Sequence, residues 1–340
     1  MIAAPLQTPL TALLGCRYPV LQAGMGGVAR AELAVAVSAA GGYGFLGMVR
    51  ESAALISREI NEVRQRTDQA FGVNLIPAAT DPVLLDEELA VCFEAGVHSL
   101  CLFWDVVPEV IARAHAAGCL VLYQVGSVAD AVAAAEAGAD AIIAQGVEAG
   151  GHVRGTLSSL VLLPQVVAAV DVPVVACGGF ASGASLVAAL ALGAAGMHCG
   201  TVFLATQESF AHAYHKQRLV EASSENTVYT DLFSINWPPG APVRVLANSV
   251  TEAHQDHLLG HDPQALPREA VATDDGRPVY RYSTDSPLRT TEGALELLPA
   301  YAGQVAGQVH RIAPAGELLA SIMRDAEASL TRLKNSANSE

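Results

Sequence analysis

Apolar residues in this chain fall in short runs, many of them β-branched, each followed by an alanine-rich stretch with helical spacing. The runs stand at 18–22 (YPVLQ), 44–47 (GFLG), 71–75 (FGVNL), 98–103 (HSLCLF), 119–125 (CLVLYQV), 140–145 (DAIIAQ), 173–177 (PVVAC) and 195–200 (AGMHCG). Each is too short for a stable helix and predicts a strand buried on both faces. Helices are predicted between them, among them 30–40 (RAELAVAVSAA), 127–137 (SVADAVAAAEA) and 182–192 (SGASLVAALAL). Several open on a Ser or Asp N-cap and close on glycine. The phrases AGV (95–97), AGAD (137–140) and GAAG (193–196) give a weak internal repeat at helix ends. Eight such units fit a (β/α)8 barrel, the TIM-barrel class of α/β fold, better than an open doubly wound sheet. No GxGxxG follows the first run, and GMGG at 24–27 is too short a match.

After about residue 215 the alternation stops. NWPPGAPVRV and HDPQALPREAVATDDGRPVYRYSTDSP concentrate proline, charge and turn residues, and GELLASIMRDAEASLTRLKN closes the chain as an amphipathic helix. The reading is a barrel over 1–215, a smaller C-terminal α+β lobe over 216–311, and a helix over 312–335 that returns to the barrel. The tail SANSE reads as frayed.

Composition narrows this picture. Hydrophobic residues make up 51% and charged residues 16%, which raises the question of a membrane. The apolar runs are too short for the roughly 20 residues that a bilayer span needs. The N-terminus has no basic region ahead of its apolar residues, so a cytoplasmic location is expected. Six scattered cysteines without CxxC spacing read as buried thiols. With 19 Lys+Arg against 34 Asp+Glu, a net charge of −15 argues against a nucleic-acid partner. A homodimer stays open.

In a parallel barrel the reactive groups lie just past the strand C-termini. Those positions hold Gln22, Gly24 and Met25, then Asn74, Gln124, and the stretch QGVEAGGHVRG from Gln145 through His152. Gly178 and Gly179 ahead of the N-cap Ser182, with Gly200 and Thr201 after the last strand, suit a phosphate cradle of backbone N–H groups. Ordinary βα turns use glycine as well. Only Lys216 and Lys334 occur, both outside the strands, which disfavours a Schiff-base aldolase. No HxH or HExxH spacing stands at the strand ends, so no metal is expected.

His152 behind two glycines is read as an active-site group, against the plainer reading of a turn histidine. His198, beside Cys199, reads as a hydrogen-bonded core residue, with cofactor contact the alternative. His212, His215, His254, His257, His261 and His310 read as solvated. Glu148 is expected to cap or orient its loop. Trp104 and Asp105 form a pocket wall or pack under the smaller lobe, and Trp237 is a candidate lid.

The stretches PVLQAGMGGVARAELAVAVSAAGGYGFLG, FGVNL, GADAIIAQGVEAGGHVRG, VPVVACGGFASGASLVAALALGAAG and GTVFLATQES resemble the nitronate monooxygenase (2-nitropropane dioxygenase-like) flavoproteins. The likeness covers about residues 15 to 210. The EAGGH element is shared with FMN-dependent enoyl-acyl-carrier-protein reductases. FWDVVPE stands where a tyrosine is looked for at the mouth of the fourth strand.

The resemblance implies FMN at the barrel mouth. Gln22, Ala23, Gly24 and Met25 would line the flavin ring, and Asn74 and Gln145 would hydrogen-bond it. Gly150 and Gly151 would admit its close approach, and Gly178, Gly179, Gly200 and Thr201 would hold the phosphate, with His198 and Cys199 counted beside them. His152 matches the catalytic histidine. An imidazole with a pKa near 6.5 would remove an α-proton when neutral or orient an anion when protonated. The implied reaction oxidises a nitronate or nitroalkane with O2 to a carbonyl compound and nitrite. NAD(P)H-dependent reduction of a quinone or enoyl thioester is the alternative on the same scaffold. A cofactor-free barrel that binds a phosphorylated metabolite is the alternative of another class.

Overall fold

The computed structural model describes residues 6–337. Eight parallel strands form the barrel: β1 (Val20–Gln22), β2 (Gly44–Gly47), β3 (Phe71–Leu75), β4 (Ser99–Phe103), β5 (Leu120–Val125), β6 (Ala141–Gln145), β8 (Val174–Cys177) and β9 (Gly196–Cys199). Their neighbour order runs β1-β9-β8-β6-β5-β4-β3-β2. A parallel bridge between Leu21 and Tyr43 closes the ring. Every predicted strand is present within two residues of its expected ends.

Nearly every strand residue is buried because both faces are covered. Inward-facing Leu21, Tyr43, Phe45, Cys101, Leu122, Ile143 and Val175 pack together with Leu10 and Leu14 of α1 (Pro9–Leu14). The outward residues meet the surrounding helices. Five cysteines are buried, Cys16 is partly so, and none is in a disulfide.

The intervening helices follow the predicted caps. Ser127 opens α6 (Val128–Glu136) and Ser182 opens α8 (Gly183–Ala191), each accepting from a first-turn backbone N–H. The last helix, α12 (Ala315–Ala337), returns to pack on α8. A Cβ on Gly183 would lie 2.0 Å from the backbone nitrogen of Ala326, so glycine is what lets these helices touch. Residues 338–340 of the tail read as frayed lie outside the described residues. No described helix is long and apolar enough to cross a membrane.

Beyond α10 (Ala213–Glu221), β10 (Thr227–Thr230) and β11 (Val243–Leu246) pair antiparallel, and β12 (Ala270–Asp274), β13 (Arg277–Tyr280) and β14 (Thr291–Gly293) form a second small sheet. Leu232, Phe233, Ile235, Val243, Val245, Val250 and Tyr282 make a separate apolar cluster here. The β12–β13 turn carries φ of +47° at Asp275 and +77° at Gly276, the left-handed pair that an Asp-Gly hairpin turn requires. The first small sheet takes its third strand from the barrel side. Gly151–His152, β7, pairs antiparallel with β11, His152 opposite Val243 and Gly151 opposite Arg244.

Several histidines read as solvated are held inside instead. His215 is fully buried, its Nε2 3.0 Å from the carbonyl of Tyr301, and burial pushes its pKa down to about 4. His261 pairs with Asp231 at 2.7 Å, and the Nδ1 of His254 sits 2.8 Å from the Val250 carbonyl. His257 and His310 are exposed. The difference comes from chain segments that cross α10 and α11 (Ser249–Ala253), a tertiary event without a local signal.

Lys216 is also buried. Its ammonium donates to the carbonyls of Thr206 (2.6 Å), Ser209 (2.8 Å) and Gln207 (3.3 Å), so it pins the loop after the last barrel strand. Replacing it with Met strands these acceptors and should lower unfolding free energy by about 2–4 kcal/mol. Urea denaturation measures this, with the exposed Lys334→Met as the control expected within about 0.5 kcal/mol of the parent.

Candidate active site

A cavity of about 530 Å³ opens at the C-terminal ends of the strands, within the usual range for small-molecule sites. Ala23, Gly24 and Met25 line it from β1, Asn74 from β3, Gln124 from β5, and Gln145, Gly150, Gly151 and His152 from β6 and its loop. Gly178 and Gly179 after β8, and His198, Cys199, Gly200 and Thr201 at β9, complete the ring.

Gln22 lies elsewhere. It is fully buried, its Nε2 donates to the carbonyls of Ala23 and Phe45, and its Oε1 accepts from the Phe45 N–H at 3.1 Å. Its amide is spent on tying β1 to β2. Gly24 is required because a Cβ there would stand 2.2 Å from the Cβ of Asn74.

The stretch from Gln145 to His152 is fixed from both ends. Gln145 Nε2 donates to the His152 carbonyl at 2.9 Å, and its Oε1 accepts from the Arg154 N–H at 3.2 Å. Glu148 accepts from the Ser159 N–H at 3.0 Å and from the Ser159 hydroxyl, at the start of α7 (Ser159–Ala169). That negative charge suits a helix N-terminus. Glu148 is therefore a cap.

Gly178 and Gly179 adopt φ of +81° and +80°, which glycine takes without strain. Among the described residues, no acceptor is hydrogen-bonded to the N–H groups of Gly179, Gly200 or Thr201. The Thr201 hydroxyl accepts from the Gly303 N–H at 2.9 Å. His198 is not hydrogen-bonded as a core histidine would be. Its Nδ1 and Nε2 are both buried without a partner, its ring meets Phe45 edge-on at 5.9 Å, and burial lowers its pKa to about 3. Cys199 donates to the Phe180 carbonyl at 3.3 Å.

His152 stacks on Trp237 with ring centroids 3.6 Å apart. Trp104 meets both rings edge-on, at 6.2 Å from His152 and 6.1 Å from Trp237. Trp104 itself stays behind the cavity wall, and Asp105 pairs with Arg154 at 2.7 Å. Among the described residues the buried Nε2 of His152 and Nε1 of Trp237 find no partner. Burial first, and the Arg50 guanidinium second, lower the His152 pKa to about 3. The value near 6.5 expected for a loop histidine does not apply here: desolvation disfavours the cation, so the ring is neutral at cellular pH.

Backbone strain gathers at the same place. Arg50 (φ +58°), Trp104 (φ +81°) and Asn236 (φ +76°) are left-handed residues other than glycine, each costing on the order of 1–3 kcal/mol. All three flank the His152–Trp237 stack. Arg50 and Tyr301 line the cavity but were not singled out from the sequence, because each reaches it from a loop with no motif around it. The signal that could have found Tyr301 is the β-branched run PVRVL that forms β11, since its Val245 bridges to Tyr301.

A parallel barrel with a strand-end cavity lined by both unspent backbone donors and a neutral histidine defines an enzyme. The chain belongs to the nitronate monooxygenase family, whose model matches residues 7–325, and it is an oxidoreductase. A Rhodococcus jostii protein named (3aS,4S,5R,7aS)-5-hydroxy-7a-methyl-1-oxo-octahydro-1H-indene-4-carboxyl-CoA dehydrogenase is 43% identical over 258 residues, covering 75% of this chain and 70% of the relative. FabK from Thermotoga maritima superposes with a TM-score of 0.82 at 32% identity, covering 97% and 99% of the two chains. Nitroalkane oxidase from Streptomyces ansochromogenes superposes at 0.79 and 32%, covering 95% and 99%. These names span unlike substrates.

Gln145→Met should free the His152 carbonyl and the Arg154 amide. Hydrogen exchange at residues 150–155 is expected to speed up by roughly 10- to 100-fold, the loss of one to two hydrogen bonds. Unchanged protection would mean that pairing with β11 alone holds the segment.

Proposed function

We propose that this chain is an FMN-dependent nitronate monooxygenase in which His152 is the base. The observation that carries the reading is the neutral His152 ring, its Nε2 unpartnered among the described residues, in a cavity whose lining also holds unspent backbone donors.

The residues present fit FMN. The free N–H groups at Gly179, Gly200 and Thr201 suit its phosphate, and the partnerless nitrogens of His198 lie in the same lining. Ala23, Gly24, Met25 and Asn74 would border the ring. When bound, FMN supplies the redox chemistry with O2.

The chain's own part is proton handling and exclusion of water. On a neutral nitroalkane His152 takes the acidic α-proton at Nε2 and so yields the nitronate, whereas a nitronate that arrives ionised has no such proton to give; Trp237 across the imidazole face keeps bulk water from that nitrogen. Gln145 fixes the imidazole through the backbone, and residues 216–311 serve as a cover on the barrel of residues 1–215.

A second reading, oxidation or reduction of an acyl-CoA thioester, is favoured by the 43% identity to a CoA-ester dehydrogenase. Against it, the groove that adjoins the cavity carries Glu32, Glu59, Glu62, Asp274 and Asp275 against only Arg30 and Arg58. A polyanionic nucleotide tail would meet repulsion there.

Steady-state assays decide between them: nitrite should form from propionate 3-nitronate and O2. Prompt anaerobic reduction of the flavin by NADH, or turnover of an acyl-CoA without nitrite release from nitronate, overturns the proposal. His152→Ala should retain FMN and lose roughly 10²–10⁴ in turnover of a neutral nitroalkane, whose α-proton the base must take. With the histidine pKa lowered to about 3 in the free protein, kcat/KM should stay level as pH falls through 6.5 and drop only toward pH 4. An inflection near 6.5 would contradict the neutral, buried base.

A further inference from the structure

The fold places a half-buried cation beside this base, with no acid paired to it among the described residues. Arg50 lines the cavity just past β2. Its guanidinium lies 5.2 Å from the ring centroid of Trp237, the ring that stacks on His152. It donates to the Asn236 carbonyl and, at 3.3 Å, to the Thr284 hydroxyl. A guanidinium has five N–H donors, so donors remain for a ligand. Among the described residues no carboxylate forms an ion pair with Arg50: the neighbouring Asp285 is taken by Arg277 at 2.9 Å.

The main chain at this point is held deliberately. Arg50 has φ of +58°, a conformation that persists only where the surroundings impose it. Buried Glu88 of α4 (Pro82–Glu94) supplies the restraint, with its Oε1 accepting from the Glu51 N–H at 3.1 Å. A strained, clamped backbone that aims an unpaired cation into a ligand cavity is a costly arrangement for structure alone.

We propose that Arg50, with Thr284 beside it, is an anion-recognition subsite that seats the planar oxyanion of an ionised substrate next to His152. This rests on the nitronate reading and sharpens it by naming the group that holds the two nitro oxygens once the substrate is ionised. It also separates two roles that one histidine was expected to share. The guanidinium holds the oxyanion, whether it binds already ionised or forms in place as His152 takes the α-proton of a nitroalkane, and the imidazole does not have to carry the positive charge.

The test is calorimetric titration of the purified holoenzyme with sodium nitrate, a planar monoanion, at low ionic strength, for the parent, Arg50→Met and Arg50→Lys. Nitrate should bind the parent with a 1:1 ratio and bind Arg50→Met roughly 10- to 100-fold more weakly, the worth of a charge-assisted hydrogen bond. Arg50→Lys should fall between the two. KM for propionate 3-nitronate should rise by a similar factor in Arg50→Met, with a smaller change in kcat. Equal nitrate affinity in parent and Arg50→Met, or no binding to the parent, overturns the subsite. Should Arg50→Met fail to fold, as thermal denaturation would show, Arg50→Gln is read by the same criteria. A parent that releases no nitrite yet binds nitrate through Arg50 sinks the nitronate reading and keeps the subsite. Nitronate oxidation by Arg50→Met at the parent's KM does the reverse.

Discussion

The two-residue strand Gly151–His152 is the constraint on which the site depends. On one side the Gln145 side chain ties it to the sixth barrel strand through the His152 carbonyl and the Arg154 amide. On the other it is paired to β11 of the small sheet. A loop histidine held from one side would sample many orientations, at an entropic cost on binding. Held from both, its ring has one position, flat against Trp237. The barrel and the small sheet therefore meet in the main chain of the residue proposed as the base.

That anchoring sets the electrostatics. A ring stacked on Trp237 and met edge-on by Trp104 loses its water, and an imidazolium without water or a carboxylate partner is disfavoured. Arg50 pushes the same way. The result is a neutral histidine next to a permanent cation, which a flexible solvated loop could not maintain. Strain at Arg50, Trp104 and Asn236 is the cost of this geometry, and it is concentrated within one aromatic cluster rather than spread over the barrel.

Much of the architecture was legible because its causes are local. Strand runs such as FGVNL and LVLYQV are buried on both faces, so their hydrophobicity is unbroken, and helix starts at Ser127 and Ser182 carry their own capping chemistry. The strand-end rule then placed Asn74, Gln145, His152, Gly178, Gly179 and Gly200 on one cavity without any knowledge of contacts. The same rule misplaced Gln22, because position at a strand end does not say whether an amide points into the cavity or is consumed by the neighbouring strand. It also gave no warning that His215 and His261 are inside, since the segments that cover them arrive from far along the chain.

What the sequence determined by itself was therefore the barrel, its eight strands, and the ring of small and polar residues at its mouth: periodicity, capping and glycine conformations are properties of neighbouring residues. What only the tertiary structure decided was the state of those groups. That His152 is neutral, and that among the described residues His198 has no hydrogen bond and Arg50 no ion pair, is settled by segments far apart in the chain, among them Trp237 stacked on His152. Desolvation is a sum over everything packed around an atom, and no local pattern records it.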